Sequence, residues 1–154
     1  MEQLSNSSTP QPEDLCFWIN NLAIASMRSL AGRFSRYGIT PHQFAILMMC
    51  SEGCVDTVSG LARVMPLDAA AVSRNVQNLV QQELLEREPS QRDRRSATLS
   101  VTESGKVLLE ELAAHVEAND RMLLRGIDDA ERDKFVTTIR TMLANTAAYE
   151  ATRF

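Results

Sequence analysis

Between Thr40 and Val101 the chain sets out three helices of unequal length and a two-stranded ribbon, each with its own start or stop signal. That order constrains the fold more than any other feature. Thr40-Pro41-His42-Gln43 opens the first helix: Thr40 caps it, Pro41 takes the first helical position, where a missing N–H costs nothing, and Gln43 reaches back as a capping box. Phe44, Leu47 and Met48 give this helix its buried face, and it ends near Gly53. Val55-Asp56-Thr57 offers no more than a token strand. Thr57 caps a short helix carrying Leu61, Ala62 and Met65, and Pro66 lies near its end, where proline is a common stop. Asp68 caps the third helix, whose apolar set is Val72, Val76, Leu79 and Val80. Leu84 to Glu88 and Ala97 to Val101 read as short strands joined by the polar loop Pro89-Ser90-Gln91-Arg92-Asp93-Arg94-Arg95.

The flanks are helical as well. Residues 1–11 are Ser/Thr/Asn/Gln/Pro-rich and read as a disordered tail. Pro12, Glu13 and Asp14 then open a helix with Leu15, Ile19 and Leu22 at helical spacing, Trp18, Leu30 and Phe34 adding bulk, and Gly38 as its stop. After the ribbon, Thr102 caps a helix through Leu108, Leu112, Val116 and Leu123, closed by Gly126. From Thr102 to about Arg125 it is roughly 36 Å long at ~1.5 Å per residue, more than a compact domain of this size can cover. Asp128-Asp129-Ala130-Glu131 starts a last helix through Phe135, Ile139, Met142 and Leu143 to near Tyr149. Helix, short helix, helix and a ribbon with a basic tip is the order of a winged helix-turn-helix. The expected fold is therefore mainly α. A winged helix-turn-helix with a small β-hairpin wing spans 40–101, between a dimerisation helix over 12–39 and long linking and dimerisation helices over 102–154. Symmetric pairing is the economical cover for the long apolar stripes, since two-fold homodimers are the commonest oligomers. The alternative is a monomer whose terminal helices fold back on themselves.

Length and charge narrow the function. The 154 residues suit one domain with an extension for pairing. The longest apolar run is Phe44 to Cys50, far short of a bilayer span, and no basic-then-apolar leader opens the sequence, which points to a cytoplasmic protein with no membrane partner. Three cysteines are too few for a disulfide framework, and His42 and His115 stand near no cysteine pair, so neither a structural metal nor a cofactor is expected. The net charge of −4 hides a division. Residues 1–59 carry three Lys/Arg against five Asp/Glu and 102–154 seven against ten, whereas 60–101 carry six against five. Within that middle third Arg92, Arg94 and Arg95 crowd the ribbon's tip.

Two surfaces follow from this pattern. With Val72, Val76 and Leu79 buried, the third helix turns Ala70, Ser73, Arg74 and Gln77 outward. In a major groove, Arg prefers guanine, Gln prefers adenine and Ser is permissive; the same pattern also fits an ordinary solvated face. Three arginines on an exposed hairpin tip do nothing for a core, but a narrow minor groove with its concentrated negative potential rewards an inserted guanidinium. Asp93, two residues from Arg95, can brace it. The alternative here is a solvated charge run.

Leu67-Asp68, Val72-Ser73-Arg74, Leu79, Leu84, Arg87, Asp93-Arg94-Arg95 and Thr102-x-x-Gly105, in this order, resemble the signature of the MarR family of dimeric winged-helix transcriptional regulators. Thr57-Val58-x-x-Leu61-Ala62 and the long closing helices fit as well. The resemblance implies that Ser73, Arg74 and their neighbours enter the major groove of a pseudo-palindromic operator, and that Arg95, held by Asp93, enters the minor groove. It also implies a homodimer and a cleft for a small phenolic or carboxylate effector that releases a repressor from DNA. Three features depart from the pattern: Glu83 stands where the family has glycine between recognition helix and wing, Val101 replaces leucine, and the recognition helix opens Ala69-Ala70-Ala71.

Leu15-Cys16-Phe17, near the start of the first helix, resembles the sensing cysteine of the organic-hydroperoxide branch of that family, and a helix N-terminus favours the thiolate that peroxide attacks. The tyrosines that assist it in that branch do not appear: Asn20 stands four residues on and Tyr37 lies elsewhere; the alternative is a buried free cysteine serving as a small core residue. Cys50 and Cys54 read as incidental, His42 as a first-turn residue and His115 as a polar position on the long helix. Two further classes compete with a DNA-binding regulator. One is a winged-helix module that binds protein, supported by Glu83, Glu86 and Glu88 beside the wing. The other is a small helical enzyme using Arg28, Arg33 and Arg121 on a carboxylate substrate. No general acid or base, nucleophile elbow or phosphate loop supports the enzyme.

Overall fold

A computed structural model describes residues 14–89 and 97–151, the side chains of 150 and 151 excepted. The order is α1 (Leu15–Phe34), a 3-10 turn (Ser35–Tyr37), α2 (Pro41–Ser51), α3 (Val58–Val64), α4 (Ala69–Gln81), β1 (Leu85–Pro89), β2 (Ala97–Val101), α5 (Glu103–Leu123) and α6 (Asp129–Ala151). The chain divides into two compact units, one up to Glu117 and one from Ala118.

The first unit holds the core. Phe34, Ile46, Leu47, Leu61, Val72, Val76, Leu79, Leu85, Leu99 and Leu112 are buried together. The capping box at Thr40 forms as its sequence dictates: the Thr40 hydroxyl accepts the Gln43 N–H at 3.2 Å, and the Gln43 side chain accepts the Thr40 N–H at 2.8 Å. This cap fixes the start of α2 so that Ile46 and Leu47 point inward and Phe44 packs on Phe34, ring centroids 5.2 Å apart. Thr57 caps α3 through the Gly60 N–H at 3.1 Å, and Asp68 caps α4 through the Ala71 N–H at 2.6 Å.

β1 and β2 form an antiparallel pair in the register Leu85 to Val101 and Pro89 to Ala97. The strand expected over 84–88 thus sits one residue later, because Leu84 is used to close α4. The token strand is a single contact: the Leu99 N–H donates to the Asp56 carbonyl at 2.7 Å, on the edge of β2 away from β1.

In the second unit α6 runs past the expected end at Tyr149 to Ala151. Asp128 opens it with a reciprocal cap, accepting the Glu131 N–H at 2.8 Å and donating its own N–H to the Glu131 carboxylate at 3.2 Å. Ile139 and Met142 are half-buried, whereas Phe135, Val136 and Leu143 are exposed. Among the described residues no helix is long and apolar enough to cross a membrane.

Candidate nucleic-acid interface

Helix α4 presents the outward face its periodicity predicts. Val72, Val76 and Leu79 are buried, and Ala70, Ser73, Arg74 and Gln77 are all exposed. Ser73, Arg74 and Gln77 occupy positions i, i+1 and i+4, so their side chains leave the helix on one side. Among the described residues none of these three side chains has a hydrogen-bond or ionic partner in the chain. Asn75 behaves differently: it is half-buried and its Nδ2 donates to the Ala71 carbonyl at 2.9 Å, which withdraws it from the outer face. A guanidinium, an amide and a hydroxyl, all uncommitted and all at the solvent face of one capped helix, can meet base edges or phosphates without breaking any internal bond.

The wing begins at Leu85, one residue later than expected. From β1, Glu86, Arg87 and Glu88 project from the surface, with Arg87 opposite Leu99 across the ladder. Arg92, Asp93, Arg94 and Arg95 lie outside the described residues. Beside β1 an open groove of about 700 Å³ is lined by Glu83, Glu86, Glu88 and Glu103 together with Arg87 and Thr102. This flank of the wing is acidic.

The cysteines separate by environment. Cys16 and Cys54 are exposed, and Cys54 Sγ lies 3.7 Å from Glu52 Oε2. Cys50 is partly buried, and its thiol is pushed up to about 11 by burial and by the nearby Asp56 carboxylate. It therefore stays protonated at neutral pH and makes a poor nucleophile or metal ligand.

One polar cluster escaped the sequence. Arg36 Nη2 donates to Tyr37 Oη at 3.0 Å, and these two groups lie 2.9 and 3.0 Å from His115 Nε2. A guanidinium can only donate, so Nε2 is the acceptor of the Arg36 bond. The cluster ties the turn after α1 to α5. Arg33, one turn earlier, buries an Nε that has no hydrogen-bond partner among the described residues. No motif spacing could have revealed the cluster, because 78 residues separate Tyr37 from His115. Among the described residues no group of three or more His, Cys, Asp or Glu could hold a metal ion.

Three helices around one core, the third with an uncommitted polar face, followed by an antiparallel hairpin, define a winged helix-turn-helix protein. Residues 37–96, the winged-helix segment, match the profile of the MarR family. Across 130 residues the chain is 25% identical to a Thauera aromatica protein described as a transcriptional regulatory protein for the hcr operon, covering 84% of this chain and 78% of that one. Its fold is similar to that of Bordetella bronchiseptica BpsR, whose DNA binding is regulated by 6-hydroxynicotinic acid (TM-score 0.78, 20% identity, 87% of this chain and 96% of that one). It is also similar to Staphylococcus aureus MepR as seen in a complex with DNA (TM-score 0.76, 17% identity, 86% and 98%). The chain thus carries a segment similar to the MarR family and is similar over most of its length to a transcriptional regulatory protein.

Proposed function

We propose that the protein is a homodimeric, sequence-specific DNA-binding repressor of the cytoplasm that a small molecule releases from its operator. The observation that carries this reading is the outer face of α4, where Ser73, Arg74 and Gln77 are exposed and unengaged. In this reading the face enters the major groove, and the basic segment Arg92-Asp93-Arg94-Arg95 reaches the minor groove, Asp93 bracing Arg95. Pairing is supported by the apolar faces of the terminal helices. Leu15, Trp18, Ile19 and Leu22 line one side of α1 and are all exposed; Phe135, Val136 and Leu143 do the same on α6. Single exposed apolar residues are ordinary, but a run at helical spacing marks a surface that a partner covers.

An anionic or phenolic effector is supported by Arg36, whose guanidinium meets Tyr37 and His115 but no carboxylate among the described residues, and by the Nε of Arg33, which has no hydrogen-bond partner among them. A carboxylate would be the stronger acceptor for both. Such a ligand lowers DNA affinity only as far as it binds the non-DNA conformation better, and the coupling is reciprocal.

Footprinting of the full-length protein on DNA upstream of its own gene tests the proposal. A two-fold dimer predicts a pseudo-palindrome with recognition helices about 34 Å apart, one helical turn. An asymmetric footprint shorter than one turn would contradict it. The acidic groove beside β1 supports a second reading, a module that binds a basic protein segment. Salt separates the two, since contact with about six phosphates weakens steeply as ionic strength rises.

A further inference from the structure

The recognition helix ends without glycine. The Glu83 N–H donates to the Val80 carbonyl at 3.0 Å and the Leu84 N–H to the Leu79 carbonyl at 2.9 Å. This pair of bonds requires a left-handed residue at the turn. That residue is Glu83, with φ 58°, the one described residue other than glycine with positive φ. A side chain with a Cβ disfavours that conformation, so it persists only where its surroundings hold it.

One side chain holds it. The Thr102 hydroxyl donates to the Glu83 carbonyl at 2.7 Å and accepts the Gly105 N–H at 3.0 Å, while the Thr102 N–H donates to the Leu84 carbonyl at 3.2 Å. Gly105 sits so close that an added Cβ would collide with the Leu84 carbonyl oxygen and with the Val101 side chain. The end of α4, the start of β1, the end of β2 and the first turn of α5 therefore meet around a single residue, Thr102.

We propose that Thr102 is a positioning residue that sets the recognition helix against the wing and couples movement of α5 to α4. A glycine at position 83 would reach the left-handed turn unaided but would also populate many other conformations. Glutamate makes the turn conditional on the Thr102 bond, which gives the joint an engaged state and a released one. The coupling to DNA rests on the DNA-binding reading above; the joint itself does not.

The test uses the full-length protein as wild type, Thr102→Val, Thr102→Ser, Glu83→Gly and the Thr102→Val/Glu83→Gly double variant. Amide exchange by mass spectrometry and thermal unfolding are read without DNA, and competitor-resistant DNA binding is read by anisotropy. In Thr102→Val, exchange around Leu84 and Gly105 is expected to quicken by about tenfold or more. Its competitor-resistant binding weakens by about tenfold, with competitor-sensitive binding at low salt retained. Thr102→Ser restores both properties. Adding Glu83→Gly to Thr102→Val restores thermal stability but not selective binding. Unchanged exchange in Thr102→Val would overturn the joint, and recovery of binding together with stability in the double variant would reduce Thr102 to a structural part. If Thr102→Val does not fold, Glu83→Gly alone decides: a stable protein with weakened selective binding supports the proposal, and unchanged selectivity refutes it. If the wild type binds no DNA selectively, the DNA reading fails by itself, and the exchange comparison still judges the joint.

Discussion

Helices α4 and α6 are both written with apolar residues at helical spacing, yet they end up in opposite conditions. In 13 residues α4 buries Val72, Val76 and Leu79. In 23 residues α6 buries none of its described side chains, and Phe135 and Leu143 remain 48% and 63% exposed. The difference shows what periodicity encodes. It says which face must be covered and is silent on what covers it. The stripe of α4 is answered by Leu61, Leu85 and Leu99 of the same chain, whereas that of α6, like the outer face of α1, is left exposed.

Substitutions on the two stripes should therefore fail in different ways. Leu79→Ala removes a fully buried side chain and is expected to cost about 2–5 kcal/mol of folding stability, measured by chemical denaturation. A cost near zero would mean that α4 is not part of the core. Leu143→Lys changes an exposed residue and leaves no cavity, but it places a charge where we propose a dimer interface. It is expected to raise the dimer dissociation constant by about a hundredfold, ~3 kcal/mol, in analytical ultracentrifugation. A wild-type protein that sediments as a monomer would break the comparison, because the α6 face would then need no partner.

The two proposed DNA-contacting segments give a smaller effect. Arg74→Ala is expected to relax sequence preference and Arg95→Ala to weaken DNA binding, each by about 1–3 kcal/mol in titrations at fixed salt. Identical isotherms for both variants would remove these recognition surfaces. The smallest contrast concerns thiols. With its pKa raised from 9.0 to about 11, Cys50 keeps its proton at pH 8, so an alkylating probe should label exposed Cys16 well before Cys50. Because the shift disfavours thiolate in the fold, labelling of Cys50 should accelerate as pH rises from 9 towards 11. Equal rates at pH 8 would contradict the burial assigned to it.

The winged-helix segment was legible because its signals are local. The Thr40 capping box, the Thr57 and Asp68 caps and the Val72-Val76-Leu79 spacing act within a turn or two, and each appears where the sequence places it. The contacts that bridge distant segments were not legible. His115 read as a polar position, yet it is bonded to a turn nearly eighty residues earlier. Glu83 was visible as a departure from the family's glycine, but only the structure shows that it adopts the left-handed turn itself and that Thr102 secures it. Ile46 and Leu109 were missing from the expected core although both are buried, because each adjoins a residue already assigned to its helix's inner face. A helix that packs on more than one side buries a wider stripe than one spacing rule marks.

We propose a dimeric, sequence-selective DNA binder. Fluorescence anisotropy of the full-length protein on DNA from upstream of its own gene, with excess unrelated competitor and across a salt series, tests it most directly. Saturable, competitor-resistant binding at two protomers per duplex, weakening steeply with salt, is expected. Absence of binding even at low salt would contradict it.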